Sequence, residues 1–157
     1  MNDIGRENRG RFEPGSPREG EYIGRIPIRV RYSETDAQAV VYHSNFLIYF
    51  EVGRTDWVRQ AGYPYRDLEQ DGFGLFVVES HLRFLAPAHY DDRLIVETRL
   101  IDVRTRSCTF HYRIVREGEE ERTLVDGWTA LVCVGEEGRA IPLPAELAGA
   151  FRKKAGL

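Results

Sequence analysis

Sulfur is scarce in this chain: its 157 residues include two cysteines and one methionine. Cys108 and Cys133 stand in strand-like stretches, not in a C-x-x-C pair, so a disulfide scaffold, a zinc knuckle and a redox pair are all disfavoured. Buried, unreactive thiols are the expectation. His43, His81, His89 and His111 show no H-x-x-x-H or Cys/His spacing, so no metal site is expected. Positive charge is not in excess either. With a net charge of −3, nothing points to phosphate neutralisation, and a nucleic-acid partner is disfavoured. No apolar run approaches the ~20 residues a transmembrane helix needs, and the first residues lack the apolar stretch of a signal peptide. We therefore expect a cytoplasmic protein with no transmembrane segment.

What remains is ordinary globular material, 42% hydrophobic and 30% charged, of a length that suits one domain. Residues 1–24 are rich in Gly, Pro, Arg and Glu and offer little apolar surface to offset ordering entropy. A flexible tail is expected there, with the folded domain spanning 25–157. From Ile26 the sequence IPIRVRYS alternates as a half-buried strand does. After His43, Phe46, Tyr49, Phe50, Gly53, Trp57 and Ala61 recur at steps of three and four, the apolar face of a helix. Glu51, Arg54, Asp56 and Arg59 fall elsewhere on its surface. Ser44 or Asn45 can cap the start, and Gly62 followed by Pro64 ends it. Gly53 costs about 1 kcal/mol against Ala in mid-helix, which predicts a strand backbone passing close by.

A connecting stretch then leads to four strand-like runs, 75–84, 93–103, 107–116 and 123–135, rich in Val, Ile, Thr and aromatics with turn signals between. A short helix over 144–154 closes the chain. The order β-α-β-β-β-β predicts an α+β domain, a meandering five-stranded antiparallel sheet wrapped around one long central helix. Both faces of the last strand carry apolar residues, Leu124, Trp128, Ala130 and Val132 on one and Val125, Leu131 and Cys133 on the other. One helix covers one face, so a second copy related by a two-fold axis is expected over the other.

Chemistry concentrates at residues 31–51. Asp36 precedes the helix by a few residues, and a carboxylate beside free first-turn N–H groups is a recipe for attacking and polarising an acyl carbonyl. The plainer alternative for a Thr-Asp pair in such a loop is an Asx turn. Asp91 and Asp92 read as turn formers.

Three motifs occur in order: T-D-x-x-x-V-V-Y-H-x-N-F at 35–46, F-x-x-P-A-x-Y-D-D at 84–92 and R-x-R-S at 104–107. On these the chain resembles the Asp-type hotdog-fold acyl-CoA thioesterases, the family of the bacterial 4-hydroxybenzoyl-CoA and Tol-Pal-associated thioesterases. The resemblance implies a single hotdog domain that hydrolyses acyl-CoA, with Asp36 as base or nucleophile and the His43 backbone N–H as main oxyanion donor. The His43 side chain either orients water or makes a structural hydrogen bond. Tyr42 then becomes a wall of the acyl pocket, and Leu75, Phe76 and Val77 line the thioester channel. Arg104 and Arg106, expected on one side of a strand start, would grip the phosphates of coenzyme A, although a charged edge against aggregation is the other reading. No separate cofactor is implied, coenzyme A being part of the substrate. An acyl carrier protein is an alternative partner, and a non-catalytic acyl-CoA sensor on the same fold is the rival from another class. Family members form dimers with interfacial sites, often assembled into tetramers, so a homodimer or homotetramer is implied. A second hotdog clade carries its carboxylate on the helix, which makes Glu51 the rival base. The family usually has glycine where this chain has Ala39.

Overall fold

Alternating β-branched and aromatic residues build five strands in the computed structural model, which describes residues 14–157. They are β1 (Gly24–Arg29), β2 (Phe73–Phe84), β3 (Arg93–Val103), β4 (Ser107–Arg116) and β5 (Thr123–Gly135). Three helices accompany them: α1 (Asn45–Gln60), α2 (Tyr65–Gln70) and α3 (Ala145–Ala155). A 3-10 turn at Tyr32–Glu34 links β1 to the loop before α1.

All strand pairs are antiparallel, in the order β1-β3-β4-β5-β2. This corrects the expected meander, because β2 pairs with β5 and not with its sequence neighbour β3. Residues 85–92 carry the chain from the edge strand β2 across to β3, and β1 forms the opposite edge beside β3. A strand's own sequence does not state its partner, so strand content was readable where pairing was not. The stretch that becomes α2 likewise reads in sequence as a connection. It is a short helix entered through Pro64, with Asp67 in its first turn and Leu68 buried under it.

α1 packs across β1, β3 and β4. Its buried side is Phe46, Tyr49, Phe50, Gly53, Arg54, Trp57 and Val58. Phe50 stacks on Tyr112 at 4.2 Å, and Trp57 meets Phe110 and Phe151 edge-on, which joins α1, the sheet and α3 in one core. Gly53 is needed for close approach, but to side chains and not to backbone: a Cβ there would run into Thr98 Oγ1 and Val96 Cγ1 of β3. Arg54 is not on the surface as its charge predicted. It is 7% exposed, because it sits one turn from Phe50 and Val58 on the packed face. Its guanidinium donates to the hydroxyls of Tyr65 (3.2 Å) and Tyr112 (3.1 Å), which reduces the cost of burying it. The two thiols are buried, and burial pushes Cys108 up to about 12 despite the opposing field of Arg54, so it stays protonated and inert.

The expected tail is held over residues 14–23, while 1–13 lie outside the described residues. Arg99 grips the Glu21 carboxylate at 3.0 Å through two nitrogens and the Gly15 carbonyl at 2.9 Å. Arg18 donates to the carbonyls of Leu100 and Ala155, and the Tyr22 N–H to Lys154. Charged side chains do this anchoring, which a count of apolar residues cannot foresee. Burial alone would raise the Glu21 carboxyl, but Arg99 and Arg18 outweigh it and hold it below the usual carboxylate range. A lowered folded value means that this stabilisation is complete above the ordinary glutamate pKa of ~4.3 and is lost as pH falls through the folded one. Glu21→Gln should leave Arg99 buried without a counter-charge and cost about 3 kcal/mol at neutral pH. Melting curves from pH 7 to 3 check this, since the variant should lose part of the acid-side decline shown by the parent.

Candidate active site

Asp36 lies in the loop between the 3-10 turn and α1, at the end of the sheet where Arg29 of β1 faces Arg93 of β3. The loop closes on itself through Asp36 N–H to the Val40 carbonyl, Ala39 N–H to the Asp36 carbonyl, and a bridge between Thr35 and Val41. Asp36 Oδ1 accepts the Gln38 N–H at 2.8 Å, an Asx turn. The plain and the functional readings of this residue are therefore compatible, for Oδ2 has no partner among the described residues.

Ala39 occupies the left-handed region, φ 62°. It adopts the backbone that favours glycine, at a cost of roughly 1–2 kcal/mol, and the turn is made without it. Ala39→Gly should therefore shift stability by less than ~1 kcal/mol, strain relief being offset by unfolded-state entropy, and leave kcat within about twofold. Thermal melting and steady-state rates read both.

Asp36 and His43 open into one cleft of about 390 Å³, walled by Val40, Val41, Phe46, Phe84, Leu85, Ala86 and Pro87. His43 and Ser44 form the turn entering α1, and among the described residues their backbone N–H groups have no acceptor. Ser44 does not cap with its side chain, and Asn45 turns away to donate to the Glu34 carbonyl at 2.8 Å. Unpaired donors at a helix N-terminus, reinforced by the helix dipole, favour developing negative charge. The His43 ring is exposed and lies 4.3 Å from Tyr42 and 6.3 Å from Phe84, so it forms part of an aromatic rim.

Other expected site residues lie elsewhere. Tyr42 is 46% exposed and does not line the cleft. Arg104 and Arg106 are in the exposed turn between β3 and β4, closed by Arg104 N–H to the Ser107 carbonyl, and not along a strand as expected. Arg104 pairs with Asp102 at 2.7 Å, and no carboxylate among the described residues pairs with Arg106. This turn is at the far end of β3 from Asp36. Eleven residues of strand at about 3.3 Å each put roughly 35 Å between the two ends. Leu75 and Phe76 line a second cavity of about 490 Å³ at that far end, with Tyr65, Phe73 and Val134. Leu75 is buried, while Phe76 and Val77 are 58% and 47% exposed on the free edge of β2. Glu51 is exposed on α1 and does not line the Asp36 cleft.

Glu34, Phe84, Leu85 and Pro87 belong to this region without having been singled out for it. Phe84 and Pro87 were within a quoted motif, but their approach to Asp36 depends on a tertiary contact, Val41 N–H to the Ala88 carbonyl at 2.8 Å. Among the described residues no group of three potential metal ligands assembles, and no helix is long and apolar enough to cross a membrane.

A five-stranded antiparallel sheet packed against α1 is the architecture of the hotdog fold. The model of the thioesterase-like superfamily matches residues 30–151, and the chain belongs to that family. It is 32% identical over 121 residues to the acyl-CoA thioester hydrolase YbgC of Escherichia coli O6:H1, covering 75% of this chain and 89% of that one. Among solved structures, a hypothetical protein of Thermus thermophilus, TT1821, superposes with a TM-score of 0.77 at 38% identity, over 82% of this chain and 96% of its own. The 1,4-dihydroxy-2-naphthoyl-CoA thioesterase Slr0204 of Synechocystis does so with a TM-score of 0.75 at 25% identity, over 83% and 96%.

Proposed function

We propose that the protein hydrolyses acyl-CoA thioesters to a carboxylate and free CoA, at a site that two copies of the chain complete. The observation that carries this reading is the shared cleft: among the described residues, a carboxylate oxygen free of hydrogen bonds beside unpaired N–H groups at the N-terminus of α1, the helix that packs across β1, β3 and β4. The thioester carbonyl oxygen takes the His43 N–H, which stabilises the oxyanion as the C–O bond forms. Asp36 either accepts the proton of the attacking water or attacks the carbonyl itself to give an anhydride that water then opens. In the first route the C–S bond of the tetrahedral intermediate breaks and the CoA thiolate takes the water proton held by Asp36; in the second the thiolate leaves as the anhydride forms and takes up a proton released when water opens the anhydride to two carboxylates. YbgC and Slr0204, whose names describe acyl-CoA hydrolysis, support the substrate class.

The need for two copies follows from distance. Arg104 and Arg106 are too far from Asp36 in one protomer for a single CoA to touch both ends. β2 is a long edge strand with Phe76, Val77 and Val78 exposed, a surface a solitary protein does not leave free. Pairing two β2 edges antiparallel about a two-fold axis brings the Phe84 end of one beside the Phe73 end of the other. The Asp36 cleft then adjoins the partner's second cavity and its arginine turn, a continuous channel for acyl group, pantetheine and phosphates. Such a dimer can stack further into a tetramer. We place the protein in the cytoplasm, where its two unpaired thiols stay reduced.

Mixed assembly tests the reading. Asp36→Asn chains and Arg104→Ala/Arg106→Ala chains should each be weak alone, the second through a raised KM. Mixed together, they should regain up to about a quarter of the wild-type sites' low-KM activity, because one site of the heterodimer keeps both sets of residues. No recovery after verified subunit exchange would mean that the arginines do not serve the site across the axis.

A further inference from the structure

Glu34 is a buried carboxylate, 6% exposed, for which the hydrolytic reading has no use. It stands two residues before Asp36, and both of its oxygens are occupied. Oε1 accepts from Arg31 Nη2 (2.8 Å) and Nε (3.1 Å), while Oε2 accepts the Arg31 N–H (2.8 Å) and the Tyr49 hydroxyl (2.8 Å). Its backbone carbonyl accepts two more donors, the Tyr42 N–H at 2.9 Å and Asn45 Nδ2 at 2.8 Å. Tyr42 and Asn45 flank the His43–Ser44 turn. One residue therefore joins the exit of β1, the entrance of α1 and the second turn of α1.

Among the described residues, the hydrogen bonds of Asp36 itself reach no further than Val40. Glu34 is what ties its loop to the helix that bears the oxyanion donors, with the Val41 contact to Ala88 fixing the other side. Burial pushes the carboxyl up, but Arg31 and Tyr49 outweigh it and hold Glu34 below the usual range. Burial and the Glu34 charge both raise the Tyr49 hydroxyl, which stays a donor. Desolvating a carboxylate to close a loop is costly where an apolar side chain would close it as well. What the ionic knot adds is direction: short, charge-assisted bonds that fix the loop relative to the helix.

We infer that Glu34 and Tyr49 are positioning residues that set the Asp36 carboxylate against the His43 N–H. This rests on the proposed roles of those two groups.

The test compares Tyr49→Phe and Glu34→Gln with Tyr112→Phe in the full-length protein. Tyr112 has an equally buried hydroxyl, bonded to Arg54 and Thr129 and remote from the loop. Thiol release from benzoyl-CoA and hexanoyl-CoA gives kcat and KM, and amide hydrogen exchange reports the loop directly. Both loop variants should lose about 10- to 100-fold in kcat, the scale of a small misplacement of reacting groups, with KM within about twofold. Exchange over residues 35–43 should accelerate at least ~10-fold while residues 50–58 stay protected. Tyr112→Phe should lower the melting temperature comparably yet keep its kcat. Loop exchange unchanged from wild type in both variants, or kcat no lower than in Tyr112→Phe, overturns the inference. An inactive Asp36→Asn beside fully active loop variants would sink this inference alone, whereas a fully active Asp36→Asn would sink the hydrolytic reading beneath it.

Discussion

Replacing Asp36 with asparagine is expected to lower kcat at least ~100-fold, the usual loss when a general base or nucleophile is removed. The side chain keeps its size and can still accept the Gln38 N–H, so the Asx turn, the melting temperature and the assembly should be retained. KM should change little, since the phosphate and acyl contacts lie elsewhere. Glu51→Gln is the control, exposed on α1 and away from the cleft, and should turn over as the parent does. The opposite pattern, an active Asp36→Asn and an inactive Glu51→Gln, would put the base on the helix. The experiment also separates an enzyme from an acyl-CoA sensor: an enzyme releases thiol over many turnovers, on the order of 1 to 1000 per second, and a sensor saturates and stops. Carrier-protein thioesters belong in the same panel.

The second large effect concerns assembly. Val78 is 62% exposed at the irregularity in β2 and contributes nothing to the core cluster, so Val78→Asp should leave the protomer folded. Two such charges facing each other across a two-fold axis repel, and the β2 edges should part. Light scattering should then report a monomer of 18.1 kDa, with kcat/KM reduced at least ~100-fold because each cleft loses its partner's channel and arginine turn. A monomer with undiminished kcat/KM would show that one chain suffices and would remove the interfacial site.

Several features could be read along the chain because local physics governs them. The apolar positions 46, 49, 50, 53 and 57 recur with the helical period and do face the core. The Val, Ile, Thr and aromatic content of 93–103, 107–116 and 123–135, with turn signals between, marked three strands at their observed bounds, since such side chains suit a pleated, half-buried surface. Asp36 could be placed ahead of a helix start because the two are nearly adjacent in sequence, and the same nearness brings His43 to the cleft that Asp36 lines.

Everything requiring a partner distant in sequence had to await the tertiary structure. Arg54 reads as a surface charge until the Tyr65 and Tyr112 hydroxyls arrive to accept its hydrogen bonds. Residues 14–23 read as tail until Arg99 closes on Glu21. Arg104 and Arg106 follow Asp36 by 68 and 70 residues with no hint of spatial separation; only the length and direction of β3 show that they lie at opposite ends of the sheet. Sequence by itself therefore determined the helix, most strands and the acid beside the helix N-terminus, each a matter of neighbouring residues. Strand order, the buried ionic knots and the distance between Asp36 and the arginine turn were decided by long-range packing, in which the energy of a contact depends on which distant side chain comes to meet it.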